Sequence, residues 1–287
     1  MKNAWIVLIA VLWLMPGYGI SQPVTPLWQT LPMEPPIPAA DQSGLAPVND
    51  IKIYYAVFNK KGKDPVFLLH GGLGSSDTWG FEVPLLLKTH MVVIVDSRGH
   101  GRSSMSDQPL SYGLMSSDVL QLMDFLQIKT ASIVGWSDGG IIGFLLAIQH
   151  PERVKKLFTF GANYNSSGDK PASSDTSMAA RYMARAAANY RRLSPTPDSF
   201  FALRKALGKL YSSEPNLTAA ELKMIKAPTV IAFGQYEQFI KREHFEEMAR
   251  LIPNARLVML PNVSHGGPIQ DPMRFHEAVM SWLEGNE

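Results

Sequence analysis

Cysteine is absent from this chain of 287 residues. Its absence excludes disulfide bonds, a thiol nucleophile and a lipid attached through cysteine. Charge of either sign is scarce, since 27 basic and 25 acidic residues give a net charge of +2, and we predict neither a nucleic-acid partner nor a basic membrane patch. The sequence also lacks a His-Glu-x-x-His metal motif, and its glycine-rich residues 71–74 lack the lysine of a phosphate-binding loop. It therefore predicts a protein that needs no metal and no other cofactor.

Long apolar runs are equally scarce, and the longest covers residues 4–15. Lys2 precedes this run, and the small residues Gly19 and Ser21 follow it. This pattern is typical of a secretory signal peptide, which has a basic start, an apolar run too short to span a bilayer, and small residues before the cleavage site. We therefore predict a signal peptide at residues 1–21, cleaved after Ser21, and a mature protein that is periplasmic or secreted. An uncleaved N-terminal anchor is the alternative.

Proline is concentrated immediately after this segment. Residues 22–50 contain seven of the 21 prolines, and such a composition favours extended chain over packed structure. We interpret residues 22–50 as an arm that separates the export signal from a domain starting at residue 51.

From residue 51 onward, short apolar runs alternate with segments whose apolar residues recur at helical spacing. This alternation predicts an α/β protein with a mostly parallel sheet and helices on both faces. The core is expected to comprise residues 51–160 and 227–287. Strands are predicted at residues 51–58, 66–69, 91–95, 131–136, 154–160, 229–233 and 256–260, and helices at 79–88, 116–126, 141–149, 242–251 and 271–283.

Residues 161–226 interrupt this alternation, because they contain no convincing strand. Helices are predicted at residues 178–193 and 199–211, and a capping box at Thr218 predicts a short third helix. A helical insertion between two core strands predicts a lid over the sheet edge where ligands of parallel sheets bind. We expect some of its large apolar side chains to line a pocket and most to pack the lid onto the core: Tyr182, Met183, Tyr190, Phe200, Phe201 and Tyr211.

The junction between a predicted strand and a predicted helix carries the sequence Gly135-Trp136-Ser137-Asp138-Gly139. A Gly-x-Ser-x-Gly pattern in this context predicts a sharp elbow that lifts the serine side chain off the sheet edge. Glycines are required because the turn brings backbones too close for a Cβ atom. The N-terminus of the following helix presents free N–H groups to negative charge. Ser137 is therefore the candidate nucleophile, and a structural turn serine is the alternative.

Further motifs accompany this elbow in a fixed order. They are HGGLGSS at residues 70–76, DSRGHGRS at 96–103, GWSDGGI at 135–141, FGQYE at 233–237 and NVSH at 262–265. Together they resemble the α/β-hydrolase superfamily over about residues 51–285, which implies the α/β-hydrolase fold with a helical lid. The elbow and residues 160–163 are also similar to the valacyclovir-hydrolase-like branch of small-ester hydrolases.

His265 is the candidate general base. It lies in a polar loop between the last predicted strand and the last predicted helix, and imidazole can take and return a proton near neutral pH. The fold uses the chain order serine, acid, histidine. Among the rivals, His70 and His100 match positions that are mainly structural in the superfamily, and His276 is expected on the surface of the closing helix.

Glu237 is the candidate triad acid, at a position where the superfamily usually has aspartate. Glutamate is an accepted third member of such triads, although its longer side chain changes the reach. The alternatives are a solvent-exposed loop carboxylate at this position and an acid displaced to the lid side, either Asp169 or Asp175.

The oxyanion hole is expected to use the backbone N–H groups of Asp138 and Gly72, with Leu73 as the less favoured second donor. The resemblance implies that the Asp138 side chain binds an amine of the substrate. The alternative is that Asp138 is only an acidic residue stabilised by the dipole at the helix N-terminus. Asp96 and Arg98 are expected to build a structural turn after a core strand.

These features predict an exported serine hydrolase that cleaves carboxylic esters through a Ser-His-Glu triad and an acyl-enzyme. Its expected partner is a small-molecule ester, with a lactone or thioester as variants, and no stable membrane span is expected after removal of the signal peptide. The alternatives are another activity of the fold, either a C–C bond hydrolase or a cofactor-free peroxidase, and a ligand-binding protein with a weakened triad.

Overall fold

The structure is a computed structural model that describes residues 25–171 and 177–285. The predicted signal peptide at residues 1–21 and the alternative acid Asp175 lie outside the described residues. No helix within the described ranges is long and apolar enough to cross a membrane.

Eight strands of the described chain form one sheet. They are β1 (Gln42–Val48), β2 (Ile51–Phe58), β3 (Val66–Leu69), β4 (Val92–Val95), β5 (Ala131–Trp136), β6 (Val154–Phe160), β7 (Thr229–Gly234) and β8 (Ala255–Leu260). Their order across the sheet is β1-β2-β4-β3-β5-β6-β7-β8. The β1–β2 and β2–β4 pairs are antiparallel and the remaining neighbours are parallel, which confirms the mostly parallel sheet.

Helices cover both faces of this sheet. The described α-helices are α1 (Val83–Leu86), α2 (Tyr112–Phe125), α3 (Asp138–Gln149), α4 (Ser177–Leu193), α5 (Phe200–Tyr211), α6 (Ala219–Leu222), α7 (Arg242–Leu251), α8 (Gly267–Gln270) and α9 (Pro272–Glu284). Ile133 of β5 belongs to a core cluster shared with α2, α3 and α7, and Val134 belongs to a second cluster shared with α1 and α9. Successive strand residues point to opposite faces, so packing on both faces explains why every residue of β5 is buried.

The sheet begins earlier in the chain than the sequence predicts. β1 lies inside the predicted arm at residues 22–50 and pairs with β2 over its full length. Pro47 is tolerated there because β1 is the edge strand, where a missing N–H donor costs no internal ladder bond. The predicted boundary at residue 51 is therefore wrong, and the sheet starts at Gln42.

One predicted helix, at residues 79–88, is also wrong. A 3-10 turn at Ser76–Gly80 and the single-turn helix α1 replace it. Trp79 has the non-helical angles φ −86° and ψ 16°, and Pro84 lacks the N–H that a longer helix would use at that position.

The lid is confirmed as a helical insertion between β6 and β7 that contains α4, α5 and α6. The capping box of α6 is also present, because the Thr218 side chain accepts the Glu221 N–H and the Glu221 carboxylate accepts the Thr218 N–H. The lid therefore follows the sequence closely, since local capping chemistry and helical spacing are both readable without tertiary contacts.

Candidate active site

Ser137 lies at the sharp turn between β5 and α3, as the elbow pattern predicts. Its backbone angles are φ 54° and ψ −118°, a strained combination for a residue with a Cβ atom. A Cβ atom added at Gly135 would lie 2.3 Å from the carbonyl oxygen of Gly139, so this position requires glycine. The Ser137 N–H donates to the carbonyl of Phe160 at 2.8 Å, which ties the elbow to the neighbouring strand β6.

His265 and Glu237 are brought together from loops that follow different strands. Nδ1 of His265 lies 3.0 Å and 2.9 Å from the two carboxylate oxygens of Glu237. The Glu237 side chain is 3% exposed and that of His265 is 16% exposed. Oε1 of Glu237 also accepts the N–H of Phe239 at 2.9 Å. With Nδ1 held by the carboxylate, Nε2 is the ring nitrogen available to a reacting group.

Polar contacts fix the backbone of His265 on both sides. Its N–H donates to Oε1 of Gln238 at 3.0 Å, and its carbonyl accepts the indole N–H of Trp136 at 2.8 Å. Trp136 directly precedes Ser137 in the elbow, so this hydrogen bond joins the histidine loop to the nucleophile turn. The Phe239 ring meets the edge of the imidazole at a centroid distance of 4.8 Å. The elbow motif contains Trp136 but does not reveal this contact, and Gln238 lies outside the motifs, because the partners of both residues become neighbours only in the folded chain.

The loop after β3 lies directly over the elbow. A Cβ atom added at Gly71 would lie 3.1 Å from the Cβ atom of Ser137 and 3.8 Å from its Oγ. Within the described residues, the N–H groups of Gly72 and Asp138 donate to no protein acceptor. The N–H of Leu73, by contrast, donates to Nε2 of His100 at 3.1 Å. The geometry therefore favours Gly72 over Leu73 as the second oxyanion donor.

The Asp138 side chain is buried beneath the lid rather than open to substrate. Its two oxygens accept hydrogen bonds from the hydroxyl groups of Tyr112 and Tyr211, each at 2.9 Å. Burial raises the pKa of Asp138, and the hydrogen bonds from Tyr211 and Tyr112 oppose this shift. Burial and the Asp138 charge raise the pKa of both tyrosines. Each carboxylate oxygen thus already has a tyrosine donor, and an amine that binds Asp138 would share this buried site with the two tyrosine hydroxyl groups.

Two lid tyrosines therefore reach the elbow region. Besides Tyr211, the hydroxyl group of Tyr182 donates to the carbonyl of Gly72 at 3.0 Å. A Cβ atom added at Gly72 would lie 1.9 Å from the Tyr211 hydroxyl oxygen, so the lid leaves no room for a side chain there. Tyr190 instead packs on Phe200 within the lid. Phe201, by contrast, is 73% exposed, so this lid residue does not pack onto the core.

The rival histidines have structural partners. His70 and His100 are fully buried, and each receives a backbone N–H on Nε2 while its Nδ1 donates to a backbone carbonyl. Burial lowers the pKa of His70, and it lowers that of His100 to about 3. His276 pairs with the buried Glu82 at 3.0 Å, so it is not the simple surface residue that the sequence suggests.

The alternative acid Asp169 does not lie at the histidine. Asp169 accepts a hydrogen bond from the side-chain amide of Asn163 at 3.0 Å and makes no contact with His265 among the described residues. The turn residue Asp96 accepts the backbone N–H groups of Ser76 and Arg102, which matches its expected structural role. The described part of the chain contains no group of three or more histidine, aspartate or glutamate side chains arranged to hold a metal ion.

Comparisons with known proteins agree with this architecture. A family model described as the alpha/beta hydrolase fold matches residues 64–190. The serine hydrolase BPHL of Mus musculus is 26% identical over 249 residues, which cover 83% of this chain and 84% of the relative. The crystal structure of a hydrolase from Pseudomonas aeruginosa PA01 is 25% identical, with a TM-score of 0.67 over 85% of this chain and 99% of that one. An enol-lactonase from Burkholderia xenovorans LB400 shares the fold at 22% identity and a TM-score of 0.67, over 84% of this chain and 100% of that one. The chain therefore has the α/β-hydrolase fold, and the family-model match and these relatives support its membership of the α/β-hydrolase superfamily.

Proposed function

We propose that the protein is a serine hydrolase that cleaves carboxylic esters of small molecules, with Ser137, His265 and Glu237 as its triad. The observation that carries the proposal is the short contact between His265 and Glu237, 2.9 Å at its nearest, beside a strained serine elbow. A neutral turn serine would need neither an oriented imidazole nor a buried carboxylate. The proposal therefore gives Glu237 the role in the triad that the superfamily usually gives to aspartate.

The proposed reaction begins when Nε2 of His265 takes the Ser137 hydroxyl proton as Oγ attacks the ester carbonyl. The N–H groups of Gly72 and Asp138 stabilise the oxyanion of the tetrahedral intermediate. Its collapse breaks the C–O bond, and the imidazolium of His265 gives its proton to the departing alkoxide. Water, deprotonated by the same ring, then attacks the acyl carbon of the acyl-enzyme. The bond between Oγ of Ser137 and the acyl carbon breaks, the imidazolium returns the proton to Oγ, and the carboxylic acid is released.

Several relatives support a hydrolytic role without fixing the substrate. The relative from mouse is named as a serine hydrolase, and a 3-oxoadipate enol-lactonase from Acinetobacter baylyi is 33% identical over 109 residues. Esters and lactones share the attack of a serine on an acyl carbon, so one triad geometry serves both. Attack on a C–C bond or simple ligand binding would use the same fold without this acyl-enzyme.

A fluorophosphonate probe and a series of p-nitrophenyl esters of increasing acyl length test the proposal directly. We expect the wild-type protein to be labelled on Ser137 and to hydrolyse at least one ester. Ser137→Ala should abolish labelling and reduce turnover by about 10⁴–10⁶-fold. Ser166→Ala, at an exposed lid serine, is the matched control and should behave like the wild type.

The proposal fails if folded wild-type protein is neither labelled nor active on any ester, lactone, thioester or carbamate. Hydrolysis of a dienoate C–C bond without ester hydrolysis would favour the C–C hydrolase alternative. Saturable ligand binding without turnover would favour a binding protein.

A further inference from the structure

Residues 25–41 are packed against the molecule, although their composition suggests a free arm. We call these residues the N-terminal strap. It contains a 3-10 turn at Leu27–Gln29 and continues as extended chain to β1. Leu31 and Ile37 pack against the core cluster that includes α1 and α9. The strap is therefore part of the folded domain, and its prolines favour a single extended path.

The strap contacts the loop that carries Glu237. The ring of Trp28 stacks on that of Tyr236, with centroids 4.9 Å apart and an angle of 22° between the planes. Tyr236 immediately precedes Glu237, and its N–H donates to the carbonyl of Val263 at 2.9 Å. Trp28 thus contacts the residue that directly precedes the candidate triad acid in the sequence.

The same part of the strap contacts the loop that carries His265. The side-chain amide of Gln270 donates to the carbonyl of Thr30 at 2.9 Å and to that of Trp28 at 3.3 Å. Its amide oxygen accepts the N–H of Ser264 at 2.8 Å. Gln270 is 5% exposed, so these hydrogen bonds are shielded from water. One buried amide therefore joins the strap to the residue directly before His265.

The strap also contacts the lid. The guanidinium of Arg185 on α4 donates to the carbonyls of Leu31 and Pro32 at 2.5 and 2.6 Å and pairs with Glu34 at 3.3 Å. Both charged side chains are at most 15% exposed. Buried charge-assisted contacts of this kind fix relative positions more firmly than exposed ones.

We propose that the N-terminal strap is a positioning element of the active site. Through Trp28 and Gln270, the strap fixes the position of the Glu237 loop relative to the His265 loop. The inference rests on the proposed hydrolase function and assigns these two residues a role in it. The two loops follow the neighbouring strands β7 and β8 and are joined directly by the hydrogen bonds of Tyr236 to Val263 and of His265 to Gln238. The strap adds a third element that contacts both loops. A hydrogen bond such as that between Glu237 and His265 weakens steeply with distance and angle. Trp28 and Gln270 touch no reacting atom and act through the loops.

Four variants test this role. Trp28→Ala removes the stacking on Tyr236, and Trp28→Phe keeps an aromatic ring. Gln270→Glu keeps an acceptor for the Ser264 N–H and removes the donor to the strap. Met33→Ala is the matched control, because Met33 lies on the strap and is 72% exposed.

We expect kcat on the best p-nitrophenyl ester to fall about 3–10-fold in Trp28→Ala, as the loss of one aromatic pair would produce. Gln270→Glu should lower kcat by at least as much. In both variants KM should change less than about two-fold, because the substitution affects the chemical step and not the binding of substrate. Trp28→Phe should restore most of the turnover, and Met33→Ala should equal the wild type. All assays are run well below the melting temperature of each variant.

A second measurement does not depend on turnover. The proton on Nδ1 of His265, assigned by its loss in His265→Gln, reports the hydrogen bond to Glu237 in an NMR spectrum. Its signal should shift or broaden in Trp28→Ala and Gln270→Glu but not in Met33→Ala. If the wild type hydrolyses nothing but the signal still shifts or broadens in Trp28→Ala and Gln270→Glu, the proposed function is wrong and the strap still positions the two loops. Unchanged kcat and an unchanged signal in Trp28→Ala and Gln270→Glu would overturn the inference.

Discussion

Glutamine at position 237 has nearly the shape of glutamate but carries no charge. In the wild type, Oε1 of Glu237 accepts the Phe239 N–H, and both carboxylate oxygens lie within 3.0 Å of Nδ1 of His265. An amide has a single oxygen. If that oxygen keeps the Phe239 N–H, the amide NH₂ replaces the nearer carboxylate oxygen, 2.9 Å from Nδ1, and favours the tautomer in which Nδ1 is an acceptor. The ring proton moves to Nε2, and the imidazole can no longer take the Ser137 proton.

The size of the effect follows from the distance between the two groups. Unit charges 2.9 Å apart attract by about 6 kcal/mol at an effective dielectric constant of about 20. That energy corresponds to about 10⁴-fold in rate, and it is an upper figure because the imidazolium charge is spread over the ring. We therefore expect Glu237→Gln to lower kcat by about 10²–10⁴-fold with a smaller change in KM.

The assay compares kcat and KM on one p-nitrophenyl ester with thermal melting of the same preparations. Glu237→Asp is the companion variant, since it keeps the charge but shortens the side chain by about 1.5 Å. It should give an intermediate loss, because Glu237 already makes close contact with His265. A well-folded Glu237→Gln protein with wild-type kcat would refute the triad assignment.

Other predictions concern the residues around the triad and the start of the chain. Trp136→Phe should lower kcat by about five-fold, because it leaves the His265 carbonyl without its indole donor; wild-type kcat would show that this bond does not position the loop. Tyr211→Phe removes one of two donors to the buried Asp138 carboxylate and should lower the free energy of unfolding, measured by urea titration, by about 1–3 kcal/mol. An unchanged midpoint and slope of the titration would contradict the observed lid contact. Cell fractionation should recover a product outside the cytoplasm that lacks the predicted signal peptide, and mass spectrometry showing only full-length cytosolic protein would rule out export.

Local sequence determined the elbow and most of the secondary structure. The strand before Ser137 and the helix after it are readable because apolar runs and helical spacing are properties of neighbouring residues. The glycines at the turn follow from the same local geometry, since Gly135 lies against the backbone at Gly139. α7 begins and ends at the residues that the pattern predicts.

Tertiary structure decided which polar groups meet. Sequence motifs identified Glu237 and His265 separately, but only the folding of two strand ends to one sheet edge brings their side chains within 3.0 Å. The same holds for Gln270, whose partner Thr30 is 240 residues away in the chain. The proline-rich segment shows the limit most clearly. Its composition predicts an extended arm, but the side chains that bind this segment lie far away in sequence. Only the tertiary structure therefore reveals β1 and the strap as parts of the domain.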